Sequence, residues 1–160
     1  MTENPHRTPE AVDRGEHVIA YRIRVEAAAE DLYEIIADPH RHHELDGSGT
    51  VKASAIGPRE LLPRDRFRVD MRKYGIPYAL TMITTKAEPH RTLEWSHPAG
   101  HRWLWELQPD ADATVVTESY DFSRQPAPVK KLLHLVKAHQ DNDHGIRASL
   151  QKLHDRFARS

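Results

Sequence analysis

The feature that most constrains this chain is a change of hydrophobic period. From Thr50 to Phe122 apolar residues return at every second position between turn signals, whereas from Val129 onward they return at every third or fourth. Period two builds a half-buried strand and period 3.6 an amphipathic helix. The segment Trp95-Ser96-His97-Pro98-Ala99-Gly100-His101-Arg102-Trp103 fixes a register. A three-residue loop Pro98-Ala99-Gly100 uses proline to preset a turn and glycine for the left-handed bulge position. It pairs His97 with His101, Trp95 with Trp103 and Leu93 with Trp105, all six on one face. A one-residue slip would set the tryptophans against charged residues.

The neighbouring strands follow the same logic. A loop Asp110-Ala111-Asp112-Ala113 pairs Leu107 with Val116, Trp105 with Glu118 and Trp103 with Tyr120. Arg102, Leu104, Glu106, Val115, Thr117 and Ser119 then point outward, a mostly polar set suited to water. Upstream, a Tyr74-Gly75 turn sets Phe67, Val69 and Met71 beside Tyr78, Leu80 and Met82, with Ala79, Thr81 and Ile83 the competing inward set. Before these strands, His17–Val25 alternates with Ile19, Tyr21, Ile23 and Val25 on its apolar side. Ala28–Ala37 carries a helical stripe of Leu32, Ile35 and Ile36 behind the first-turn acids Glu30 and Asp31. Asp38-Pro39 ends that helix and opens a short second one, which Asp46-Gly47-Ser48-Gly49 stops. At the far end Val129, Leu132, Leu133 and Val136 run on to Ile146, Leu150, Leu153 and Phe157, predicting a helix of over 25 residues with a kink near His139–His144 or Gly145.

The order is therefore strand, two short helices, about six strands and a long helix. A meander with one wet face must cover the other, and only the C-terminal helix is long enough to do so. The expected fold is α+β: a curved antiparallel sheet of about seven strands around that helix, with an apolar hollow between them. The 160-residue length suits one domain. Residues 1–15 are polar and read as a disordered leader, and 16–160 as the ligand-binding domain. That leader lacks the apolar run of a secretory signal. No stretch approaches the roughly 18 apolar residues of a membrane span, so stable membrane insertion is not expected and a cytoplasmic location is the default. The absence of cysteine removes disulfides and thiolate chemistry. A net charge of −1 supplies no global field toward nucleic acid.

Several segments together resemble the START-like (SRPBCC) superfamily, specifically the polyketide cyclase/dehydrase and lipid-transport family. They are Val25-Glu26-Ala27 leading into Glu30 through Pro39, then Asp46 through Val51, Glu94-Trp95, His101 through Leu107, Val116 through Asp121, and the closing Gly145-Ile146 and Leu150 through Leu153. The likeness spans roughly Glu16 to Arg159 and rests on order and spacing, since no segment is specific alone. It implies the helix-grip fold and an internal cavity for a small hydrophobic molecule. It implies no shared catalytic set, because fold constrains activity weakly.

The inward face supplies the candidate ligand contacts: Phe67, Val69, Met71, Tyr78, Leu80, Met82, Trp95, His97, Trp103, Trp105, Glu118 and Tyr120. Large aromatics there either fill the hollow as core or line it for stacking on a flat ligand. Glu118 is the informative exception. A carboxyl between Val116 and Tyr120 must be paired with an arginine or an indole N–H, protonated, or turned to a ligand. It is also the only candidate catalytic residue, as an acid/base. The twelve histidines include a dense His40, His42, His43 group, but no metal-ligand spacing such as HExxH occurs. His97 and His101 lie across a hairpin end, close enough to share a metal, but two ligands are not a site. No phosphate loop, nucleophile elbow or aromatic-interleaved basic stripe is present, so neither a cofactor, a metal nor nucleic acid is expected. The leading expectation is binding or transport of a lipid, sterol, quinone or aromatic polyketide. A cyclase or dehydratase using Glu118 with Tyr120 or a nearby histidine is the rival. From Arg124 on, eight Lys/Arg face three Asp, ordinarily a solvated helix face. A protein-interaction module built on Lys130 and Lys131 is the third expectation, its partner left open.

Overall fold

The computed structural model describes residues 7–135 and 137–158. Eight antiparallel strands form one sheet: β1 (Glu10–Val12), β2 (Val18–Val25), β3 (Val51–Ile56), β4 (Arg66–Lys73), β5 (Ile76–Glu88), β6 (Thr92–Ser96), β7 (Arg102–Asp110) and β8 (Ala113–Asp121), in the order β1-β2-β8-β7-β6-β5-β4-β3. Helix α1 (Ala29–Ile36), a 3-10 turn (Pro39–Arg41) and α2 (His42–Leu45) follow β2, and α3 (Ala127–Leu135) and α4 (Ala138–Phe157) close the chain.

The predicted registers hold. Trp95 opposes Trp103 and Leu93 opposes Trp105, while Trp105 opposes Glu118 and Trp103 opposes Tyr120. Phe67, Val69 and Met71 pair with Met82, Leu80 and Tyr78 across the Tyr74-Gly75 turn. The rival inward set faces water, with Ala79, Thr81 and Ile83 all exposed. The β7–β8 loop is shorter than expected: Asp110 already pairs with Ala113, leaving only Ala111 and Asp112, and Ala111 takes φ 53°. Thr117 and Ser119, expected on the wet face, are buried. They are short side chains in the middle of the sheet, flanked across the ladder by the longer Arg22, Glu106 and Leu104. Register shifts in β3–β4 and β5–β6 mark bulges, which bend the strands that carry them.

Two expectations need correction. The leader was expected to lack structure through residue 15, yet Glu10–Val12 adds an eighth strand, because the open edge of β2 offers it a ladder. Arg22 bonds Glu10 at 3.2 Å and Arg14 reaches Glu106 at 2.9 Å, tying this segment down. Residues 1–6 of that leader lie outside the described residues. The C-terminal helix is two helices, not one. The break falls at Lys137, whose φ of 58° and ψ of 28° are left-handed, and both His139–His144 and Gly145 lie inside α4. The apolar stripe breaks there too. Ile146, Leu150 and Leu153 are fully buried against the sheet, but no residue of α3 is buried, and Leu132 and Leu135 are exposed. Val136 lies outside the described residues.

Asp38 accepts a hydrogen bond from His40 N at 2.9 Å and Pro39 follows it, the cap that the sequence signals. Glu44 holds α2 to α4, bonding Arg41 at 2.8 Å and Arg156 at 2.8 Å. These hydrogen bonds, Arg41 first, bring its carboxyl down to about 2. α4 packs on β2 and β8. The rest of the inner face, β4 to β7, is left to enclose space.

Candidate functional site

That space is a cavity of about 410 Å³. Val69 and Met71 of β4 with Tyr78, Leu80 and Met82 of β5 line one wall. Trp95, Trp103 and Trp105 line the next, with His97 and His101 at its hairpin end and Glu118 of β8 beyond them. α4 closes the other side with Asn142, Gly145 and Ser149, and Leu133 of α3 reaches over the space. At the rim Lys73 meets Asp141 at 3.4 Å, joining the β4–β5 hairpin to α4.

Ten of the twelve expected contact residues therefore border the cavity. Phe67 and Tyr120 do not. Phe67 is 1% exposed and packs edge-on to His42 and Trp95, filling the layer behind the wall. Tyr120 is fully buried, and its hydroxyl lies 3.2 Å from His139 Nδ1. Both share the inward face, but the helices cover them before the hollow begins.

Three imidazoles surround the site in neutral form, each for a visible reason. His42 donates from Nε2 to Ile36 O at 2.8 Å and stacks on Trp95 at 4.9 Å, and burial lowers its pKa to about 4. His97 Nδ1 accepts the Ala99 N–H at 2.9 Å, and burial brings it to about 4. His101 stacks on His97 at 4.0 Å and its Nδ1 accepts from the Gln125 amide at 3.1 Å. Burial, helped by the neighbouring histidines, lowers it to about 3. A nitrogen that accepts a hydrogen bond cannot carry a proton. Asp46, also on the lining, is occupied as well: its carboxylate accepts from the backbone N–H of Ser48, Thr50 and Val51 and from the Ser48 hydroxyl.

Glu118 stands apart. Neither the arginine nor the indole pairing expected from sequence forms. Its Oε2 is buried without a partner, and no hydrogen bond or ion pair joins its side chain to another described residue. Burial, with Asp46 adding to it, raises its carboxyl well above the usual range. Among the described residues no group of three or more His, Asp and Glu is placed to hold a metal.

Sequence reasoning missed the helical half of the lining. Asn142, Gly145 and Ser149 recur at helical spacing beside the buried stripe of Ile146, Leu150 and Leu153. A column of small and polar residues next to an apolar one was a readable sign of a helix face left over a void. His42 and Leu45 gave no such sign, since four residues of helix do not define a face.

An eight-stranded antiparallel sheet gripping a C-terminal helix over a hollow defines the helix-grip class of ligand-binding folds. Residues 16–158 match the family model for polyketide cyclase/dehydrase and lipid transport, and the chain belongs to that family. It is 39% identical over 155 residues to the uncharacterized protein Rv0088 of Mycobacterium tuberculosis, covering 95% of this chain and 69% of the relative. Among solved structures, a Rhodobacter sphaeroides protein superposes with TM-score 0.67 at 14% identity, over 94% of this chain and 99% of the other. The Polyketide_cyc-like protein Cgl2372 of Corynebacterium glutamicum gives 0.63 at 18% identity, over 89% and 91%. At such identities these structures establish the shared fold. No helix among the described residues is long and apolar enough to cross a membrane.

Proposed function

We propose that this protein binds and carries a small, flat, hydrophobic molecule in the cavity between sheet and helix. The observation that carries the reading is the lining itself: three indoles with Met71, Leu80 and Met82 around about 410 Å³. That volume falls in the range of roughly 300–1,000 Å³ typical of small-molecule sites. Indole faces stack on planar rings and add to area burial. A cavity this apolar recognises shape and area, which suits a quinone or an aromatic polyketide better than a highly polar metabolite.

Native mass spectrometry of freshly purified protein tests this directly, since a retained ligand shows its mass. Titration of quinone, sterol, fatty acid and aromatic ketone probes against tryptophan fluorescence gives the second arm. Saturable one-to-one quenching with a rise in melting temperature is expected for at least the flat probes. If every class leaves both signals unchanged, the reading fails.

The rival, proton transfer on a bound ketide, draws support from the buried Glu118 but loses its relay. The Tyr120 hydroxyl is directed to His139, and Glu118 has no hydrogen bond to any histidine. Turnover would rest on one carboxyl alone, and Glu118→Gln is the test: normal turnover in that variant would dismiss it.

A further inference from the structure

Glu118 has a use that the apolar walls do not explain. It sits in β8 between Val116 and Tyr120, both fully buried, opposite Trp105 on one side and Tyr21 on the other. Only 6% of it is exposed, it borders the cavity, and its Oε2 has no partner. Native structures keep few such groups, because an unsatisfied buried polar atom costs on the order of 1–3 kcal/mol. The other charged groups around the cavity have partners already, and each imidazole is bonded through one ring nitrogen. Asp46 serves the β3 approach, His42 serves α1, His97 serves the hairpin, His101 takes the Gln125 amide, and Lys73 holds Asp141. Among the described residues, Glu118 Oε2 is thus the one buried side-chain polar atom on the lining that has no hydrogen-bond partner.

We propose that Glu118, as a neutral carboxylic acid, donates a hydrogen bond to the carbonyl oxygen of an uncharged ligand, so that the cavity selects neutral ketones and quinones over carboxylate-headed lipids. This rests on the cavity being a binding site at all, and it adds the polar end of the ligand to that reading. A carboxylic acid is one donor plus acceptor capacity, and a carbonyl completes the donor. An anionic headgroup finds no free cation there. Lys73 is paired at the rim, the three imidazoles are neutral, and Asp46 repels. An ammonium ligand would have to be stripped of water and would force Glu118 to ionise in a buried setting, a costly combination. Burial, which raises the Glu118 carboxyl well above the usual range and so favours its protonated form, supports the same assignment.

The test uses one ring with four substituents: 2-acetylnaphthalene, 2-ethylnaphthalene, 2-naphthoate and protonated 2-(aminomethyl)naphthalene. Their affinities are measured at pH 7 by tryptophan quenching on the full chain, as parent, Glu118→Gln and Glu118→Leu. One recovered hydrogen bond is worth about tenfold in affinity. The ketone is expected to bind about tenfold tighter than the ethyl compound and tighter still than the carboxylate. Glu118→Gln, whose amide also donates, should keep that preference, and Glu118→Leu should erase it, so that ketone and ethyl compound bind that variant alike. Tightest binding of the amine would overturn the proposal by making Glu118 an anion. Equal binding of ketone and ethyl compound by the parent would overturn it while the cavity reading survives. If no naphthalene binds the parent, cavity and donor fall together. Thermal melts confirm that each variant is folded.

Discussion

Replacing His42 with phenylalanine should remove part of the protein's sensitivity to acid. The ring is enclosed, stacked on Trp95, and brought by burial to about 4 from an ordinary value of 6.5. A histidine whose folded pKa is lowered stabilises the fold fully above its unfolded pKa, and that contribution is lost as pH falls from about 6.5 toward 4. Each pH unit in that window is worth about 1.4 kcal/mol. About one and a half units of it lie above pH 5, so the parent loses about 2 kcal/mol from this residue between pH 7 and pH 5. Phenylalanine keeps the stack and cannot be protonated. It also abandons the Ile36 carbonyl, a loss of about 1–3 kcal/mol that applies at both pH values. The assay is therefore a difference of differences: thermal melts of parent and variant at pH 7 and pH 5. The variant should melt lower at pH 7, and the gap should close by about 4–8 °C at pH 5. Parallel pH curves for the two proteins would refute the reasoning, because they would mean that water reaches the His42 ring in the folded state.

Other predictions concern the packing and the buried acid. Gly47→Ala should destabilise by about 3 kcal/mol or more in chemical denaturation, since a Cβ there would lie 2.4 Å from Ser149 N and 2.5 Å from Ala148 C in the α4 backbone. Lys137→Gly should raise stability by about 0.5–1 kcal/mol, because glycine takes the left-handed conformation without the steric penalty of a side chain. Glu118→Gln should gain on the parent as pH rises above about 4.5, by about 1.4 kcal/mol per unit while the folded carboxyl stays protonated. The sign follows from a raised acid pKa, whose stabilising protonated form is lost by the unfolded chain first. Equal pH slopes in the two proteins would show Glu118 ionised in the fold.

How much of this was legible in the sequence varied with the kind of evidence. Strand registers were readable because turn chemistry at Pro98-Ala99-Gly100 and Tyr74-Gly75 fixes them locally, and a slip would misplace every indole. The wall formed by β4 to β7 followed directly. The helical side did not, because hydrophobic period reports a stripe but not whether the stripe finds a surface. Val129 and Leu133 of α3 continue the pattern of α4, yet the left-handed Lys137 swings α3 away from the core, and nothing in the lysine itself announces that conformation. β1 was hidden for a related reason: three residues that gain a ladder only by adding to an existing edge leave no periodicity to read. The place of Glu118 on the inner face was clear from alternation alone, but its lack of a partner was a fact of three dimensions.

The pairing of β2 with β8 has a consequence for how the chain comes to be made. Val18 lies beside Asp121 and Val25 beside Thr114, so an early strand waits on the ribosome until about a hundred residues later its neighbour emerges. Contacts so distant along the chain slow folding, since a large loop must close before they return any energy. Until then the meander from β3 to β7 has an unsatisfied margin where β8 will dock, and a nascent chain with such a margin is prone to stick to others. Heterologous expression should accordingly favour slow synthesis at low temperature.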